Sequence, residues 1–327
     1  MTRHNNDRNP LINLLLGAGG IVGVWLACSK LWVDHEMPLP PALNAPRDDF
    51  HGSRSTFLSY YSDTSADGRP LLLLHSINAV ASSYEIRPLF EHYRGKRPVY
   101  ALDLPGYGFS ERADREYTPQ LFVNAILDFI DHIGVAAIDV IGLSLTSEFI
   151  ASAALQQPDA FHSLVVLSPT GLAGRSVDKS TQDSIYNFLS FPLLSQPLYD
   201  LLTIRPGIRF FLERVFSGEA DEGLIEYAYQ TSHQPRARYA PYYFVSGKLF
   251  TFDILATTYA KLTVPTMILY DKDPNVTFEQ LPTLLQQNDH WRARRIPHTL
   301  GLPHFERLDK TVEELELFWS ELAEANA

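Results

Sequence analysis

The residues with chemical potential in this 327-residue chain stand just after its apolar runs: His75-Ser76-Ile77, Asp103, Ser144, Ser168, Asp273 and His304. A serine hydroxyl is barely nucleophilic at neutral pH. It needs an imidazole to take its proton and a carboxylate to hold that imidazole in one tautomer. Ser144, Asp273 and His304 supply those three groups in the order serine, acid, histidine. The chemistry they imply is attack on an ester-like carbonyl, with activity falling as the pH drops through an imidazole pKa of ~6.5.

Such groups must be carried to one place by the elements around them. "RPLLLLHS", "RPVYALDL", "AIDVIG", "FHSLVVLS" and "VPTMILYD" read as buried strands, with "WRARRIP" as a short sixth. Between them "SSYEIRPLFEHY", "PQLFVNAILDFIDHI", "TSEFIASAALQQ" and "FEQLPTLLQQ" have helical spacing, and "DKTVEELELFWSELAEA" is a final amphipathic helix. Strands apolar on both faces and separated by helices imply an α/β fold with a mostly parallel, doubly wound sheet. Open sheets of that kind place reactive groups at the carboxyl ends of their strands. The alternation lapses between about Thr170 and Leu262, where the chain is dense in aromatics such as Tyr186, Phe188, Phe191, Tyr199, Phe210 and Phe211. A stretch of that length is too long for a plain loop, and a helical lid is expected. The expected organisation is an N-terminal segment at 1–34, a linker at 35–54, a core at 55–172 and 263–327, and a lid at 173–262.

These stretches resemble the α/β-hydrolase superfamily, in its serine-nucleophile branch. "GLSLT" resembles the G-x-S-x-G nucleophile elbow, "LYDKDPNVT" the segment that carries the acid, and "GLPHFERLD" the C-terminal histidine loop. "LLLLHS" and "ALDLPGYGFSER" are similar to the family's oxyanion segment and its D-x-P-G-x-G-x-S loop. The resemblance spans roughly Ser55 to the C-terminus. It implies Ser144 as nucleophile, Asp273 as acid and His304 as base, with the backbone N–H groups of Ile77 and Leu145 as oxyanion hole. Asn78, beside them, is a substrate-binding candidate or the closer of an Asx-turn. Ser144 also suits a helix N-cap. Asp271 and His298 are the rivals of Asp273 and His304. His75 reads as structural, and Gly106 and Gly108 as turn glycines. Two positions depart from the pattern: Ser76 follows His75 where glycine is usual, and Thr146 stands where a second glycine would let the helix approach the strand.

The resemblance implies a serine hydrolase acting on an apolar or amphipathic small molecule. A non-catalytic binding or scaffold protein of the same fold, or a cofactor-free non-esterase such as a C–C hydrolase or perhydrolase, is the alternative. No cofactor is expected. Scattered histidines and a single cysteine, Cys28, supply no metal spacing and no intramolecular disulfide. A net charge of −11 without a Lys/Arg run argues against nucleic acid. Residues 11–29, "LINLLLGAGGIVGVWLACS", carry no charge and approach the ~20 residues a membrane-spanning helix needs. They read as a transmembrane anchor, with a cleaved or lipidated export signal and a buried helix as alternatives, so a membrane-anchored or exported chain is expected. Nothing in the sequence sets the oligomeric state.

Overall fold

The structure is a computed structural model that describes residues 24–173 and 178–325. Eight strands form one sheet: β1 (Arg47–His51), β2 (Phe57–Asp63), β3 (Leu71–Leu74), β4 (Val99–Asp103), β5 (Ile138–Leu143), β6 (Phe161–Leu167), β7 (Thr266–Tyr270) and β8 (Trp291–Arg295). Their spatial order is β1-β2-β4-β3-β5-β6-β7-β8, antiparallel only where β1 meets β2 and β2 meets β4. All four residues of β3 and all six of β5 are buried, because helices cover both faces. The side-chain period of two sorts them. Leu72 and Leu74 enter one apolar cluster with Phe122, Phe129 and Phe149, while Leu71 and Leu73 enter the other with Phe90 and Phe318. Each fully buried leucine or phenylalanine stabilises the fold by roughly 1.5–3 kcal/mol relative to exposure.

The helices are α1 (residues 24–32), α2 (Arg87–Tyr93), α3 (Pro119–Ile133), α4 (Thr146–Gln156), α5 (Lys179–Leu189), α6 (Ser195–Leu202), α7 (Arg205–Glu213), α8 (Glu222–Ser232), α9 (Tyr239–Val245), α10 (Ile254–Thr257), α11 (Leu281–Gln287), α12 (Pro303–Glu306) and α13 (Leu308–Ala325). Helices α5 to α10 lie in the chain between β6 and β7. They are short, and two begin at side-chain caps: Asp178 accepts from Thr181 N–H, and Asp221 from Leu224 N–H. The lid is tied to the sheet edge through Tyr199, whose hydroxyl donates to the Ala79 carbonyl at 2.8 Å.

The N-terminal region departs from expectation. Residues 35–54 do not form a free linker: 47–51 are strand β1, Ala42 and Leu43 are buried, and Ala42 N–H donates to the Tyr61 hydroxyl at 2.9 Å. Four of the five residues of β1 are exposed, so its pairing is made by backbone and leaves no apolar alternation to read. The expectation of a membrane-anchored or exported chain is overturned. Among the described residues no helix is long and apolar enough to cross a membrane. Residues 11–23 of the expected span lie outside the described residues. The rest of it, in α1, docks on the lid: Trp25 Nε1 donates to the Pro197 carbonyl at 2.8 Å, and Ser29 Oγ to Asp200 Oδ2 at 2.5 Å. Polar groups that make directed bonds to a folded lid are engaged with protein there.

Candidate active site

Strand β5 ends at Leu143 and α4 begins at Thr146, leaving Ser144 and Leu145 to make the turn. Ser144 has φ 49°, in the left-handed region. A side chain there costs on the order of 1–3 kcal/mol, and it persists because the turn is held at both ends. Ser144 N–H donates to the Leu167 carbonyl at 2.9 Å, and its carbonyl accepts from Ser147 N–H at 3.1 Å and from Ser147 Oγ at 2.6 Å. The Ser144 hydroxyl has no hydrogen-bond partner among the described residues. Thr146 is fully buried, and its Oγ1 donates to the His75 carbonyl at 2.7 Å. The close approach of helix to strand is made at Gly142 instead, where a Cβ would meet Ile150 Cδ1 at 3.1 Å. Thr146 therefore joins the elbow to the oxyanion loop rather than displacing it.

That loop is built around a buried carboxylate. Glu85 Oε2 accepts from Ser76 N–H and Oε1 from Asn78 Nδ2, each at 2.8 Å. Asn78 Nδ2 also lies 2.8 Å from Ser76 Oγ, and Asn78 Oδ1 accepts from Val80 N–H at 2.7 Å. The Asn78 side chain thus closes an Asx-turn, with both ends of its amide engaged within the loop. His75 donates from Nδ1 to the Ser76 carbonyl at 2.6 Å and accepts from Leu104 N–H at Nε2, at 3.0 Å. The N–H groups of Ile77 and Leu145 have no acceptor among the described residues. Open backbone N–H donors of this kind are what an oxyanion needs.

The histidine loop is arranged otherwise. His304 lies on α12, fully buried, and its Nε2 donates to the Glu85 carbonyl at 2.6 Å. That bond fixes the proton on Nε2. Its Nδ1 is buried without a partner. Burial lowers its pKa to about 4, opposed by the Glu85 bond, so the ring is neutral. It makes no hydrogen bond to Ser144 or to Asp273. Asp273 Oδ1 accepts from the N–H groups of Asn275 at 2.7 Å and Val276 at 3.2 Å. Burial raises the pKa of its carboxyl, and those two bonds lower it. Its Oδ2 lies 3.1 Å from where a Cβ on Gly301 would stand, and Val215 Cβ lies 3.1 Å from the same point. The position facing the acid is therefore a glycine, covered by a lid residue whose carbonyl accepts from Gly301 N–H at 3.1 Å. Asp271 pairs with Arg295 and accepts from His298 N–H at 2.9 Å, which shapes the start of the loop. His298 is exposed, at φ 66°.

The expected site residues thus fall into two groups. Ser144, Leu145 and Ile77 each have a hydroxyl or N–H without a partner among the described residues, while Asp273 and His304 are not joined. The bond from Thr146, the Glu85 carboxylate and the glycine opposite Asp273 were missed; each acts through a contact between distant segments, for which sequence carries no signal. Among the described residues no cluster of three His, Cys, Asp or Glu side chains could hold a metal.

The model of the alpha/beta hydrolase family matches residues 71–314. The chain is 31% identical over 119 residues to the uncharacterized hydrolase YugF of Bacillus subtilis (strain 168), a stretch covering 36% of this chain and 43% of that protein. The match therefore spans less than half the length of that curated relative. A serine hydrolase involved in carbazole degradation superposes with a TM-score of 0.68 at 18% identity, covering 84% of this chain and 98% of the other. A membrane phospholipase A described as a bacterial virulence factor does so with a TM-score of 0.66 at 18% identity, covering 96% and 97%. At such identities these two likenesses concern the fold.

Proposed function

The chain belongs to the alpha/beta hydrolase family, and on that premise we propose that Ser144 accepts the acyl group of an ester-like bond in an apolar or amphipathic small molecule. Ser144 Oγ attacks the carbonyl carbon, the negative charge on the carbonyl oxygen meets the N–H groups of Leu145 and Ile77, and the bond to the leaving alkoxide breaks. The serine proton ends on the departing alcohol, and water then attacks the acyl-serine, releasing the carboxylic acid and restoring the Ser144 hydroxyl. The observation that carries this reading is the strained elbow at Ser144, φ 49°, with those two donors open. Strain of this size is retained where the surroundings over-determine it, as at nucleophile turns.

The base is the weak member. His304 would have to leave the Glu85 carbonyl to serve, and Asp273 faces Gly301 rather than an imidazole. An oxyanion hole and binding alone sustain about 10³–10⁴-fold catalysis over water in sites that lack a triad member. Slow turnover is therefore the expectation, with proton transfer through solvent. The second reading, a ligand-binding member of the family without turnover, is favoured by the same glycine.

A fluorophosphonate probe and a panel of acyl esters of varied chain length test both. Labelling that vanishes in Ser144→Ala, with measurable ester turnover, supports the hydrolase. Saturable ester binding without turnover supports the binding protein. Folded protein that neither labels nor binds would sink both.

A further inference from the structure

Arg112 follows the turn after β4 and sits in the seam between the sheet edge and the lid. Its Nη2 donates to Thr231 Oγ1 of α8 at 3.2 Å, its one hydrogen bond among the described residues. A guanidinium carries five N–H donors. No carboxylate lies within ion-pair distance of it among the described residues, although the chain has 38 acidic residues and a net charge of −11. The acid of the same turn, Asp103, is engaged elsewhere: Oδ1 accepts from Ser83 Oγ at 2.5 Å and Oδ2 from Phe109 N–H at 2.9 Å. Burial lowers the pKa of Arg112, opposed by Tyr199 and by Asp103, which acts on the half-buried guanidinium without bonding to it.

The guanidinium lines a narrow pocket with Ala79, Val80, Tyr107, Tyr199 and Ala237. Both tyrosine hydroxyls already donate to the oxyanion loop, Tyr107 to the Asn78 carbonyl at 3.0 Å and Tyr199 to the Ala79 carbonyl at 2.8 Å. Neither hydroxyl proton is left for a ligand in the pocket. A cation with unused, forked donors set in an apolar and aromatic wall is matched by an oxyanion on an apolar body. We propose that Arg112 marks an anion subsite, between the lid and residues 79–81, for the carboxylate or phosphate head group of an amphipathic molecule. Nothing in this assignment depends on Ser144 reacting.

Calorimetric titration of the full chain with hexanoate, hexyl phosphate, inorganic phosphate and hexanol tests the subsite. Hexanoate or hexyl phosphate is expected to bind at least tenfold more tightly than hexanol, and the tighter of the two identifies the head group. Arg112→Gln should abolish that preference and Arg112→Lys should restore part of it, with thermal unfolding used to check that each variant is folded. Ser144→Ala should bind as the wild type does, which separates this site from acyl capture. Equal affinity for hexanol in the wild type overturns the subsite, and this outcome can be read even if the Arg112 variants do not fold. Persistence of the preference in folded Arg112→Gln overturns it too. Inorganic phosphate binding as tightly as hexyl phosphate overturns the amphiphilic ligand in favour of a free anion.

Discussion

The turn after β5 and the loop after β8 end on the same carboxyl edge of one sheet, and both carry residues of the expected triad. At the turn, backbone strain falls on Ser144 and a buried threonine ties the start of α4 to the His75 carbonyl. At the loop, the histidine is packed inward on the Glu85 carbonyl, and a glycine faces the acid. A nucleophile turn is a local object, made by a few consecutive residues between a strand and a helix. A relay of acid and base is non-local, and a three-residue difference in where an imidazole starts decides whether it exists. Retaining the first does not preserve the second.

The largest test of that contrast installs the missing group. Gly301→His, combined with Val215→Gly to remove the Cβ that would crowd it, should raise ester turnover by about 10²–10⁴ if an imidazole can reach both Asp273 and Ser144. Steady-state kinetics on the best ester of the panel reads it. An unchanged rate in a folded double variant would show that the loop is wrong in more than one residue.

The next test concerns His304. Replacing it by alanine removes a fully buried ring and its bond to Glu85, at a cost of about 3 kcal/mol in denaturant unfolding. Probe labelling at Ser144 should survive in the folded fraction. Loss of labelling with stability intact would return His304 to the role of base.

Titration separates the two regions by sign. His304 has its folded pKa lowered to about 4, so its stabilisation is present above the unfolded value of ~6.5 and is lost as the pH falls toward 4. Glu148, on α4 behind the elbow, accepts from Thr170 Oγ1 at 2.6 Å and from Thr251 N–H at 2.7 Å, and burial raises its pKa to about 7. Its contribution is present below the unfolded carboxylate range and is lost as the pH rises toward 7. The stability gap between wild type and His304→Gln should therefore shrink on acidification from pH 6.5 to 4. The gap to Glu148→Gln should shrink on alkalinisation from 4.5 to 7. Each change is on the order of 3 kcal/mol at most. Parallel trends in unfolding across pH would refute the assignment.

The smallest effect is at the elbow itself. Thr146→Val keeps the shape and removes the bond to the His75 carbonyl, costing about 1–2 kcal/mol and slowing labelling modestly. Thr146→Gly, which restores the usual pattern, should not raise labelling, because Gly142 already makes the close approach.

Much of the fold was legible in the sequence. The continuous apolar runs of β3, β5, β6 and β7 are read directly, because a strand covered on both faces has no polar side to obscure it. Helix α3 is read from its spacing, with Thr118 accepting from Leu121 N–H as the cap. Strand β1 is invisible, since exposed polar residues pair there through backbone alone. Residues 11–29 read as membrane-bound because hydropathy weighs Trp25 and Ser29 without knowing their partners on α6.

At the site the division is sharper. Sequence by itself determined the parallel strands of the sheet, the turn that strains Ser144 and the order in which serine, acid and histidine follow one another, since each is written in consecutive residues. Which of those groups meet was decided only by tertiary structure. His304 and Gly301 are three residues apart, nearly one helical turn. That step sends the imidazole to Glu85, more than two hundred positions away in the chain, and leaves a hydrogen atom opposite Asp273. Side-chain direction at a loop end follows from what the rest of the fold packs against it, and no run of neighbours encodes it.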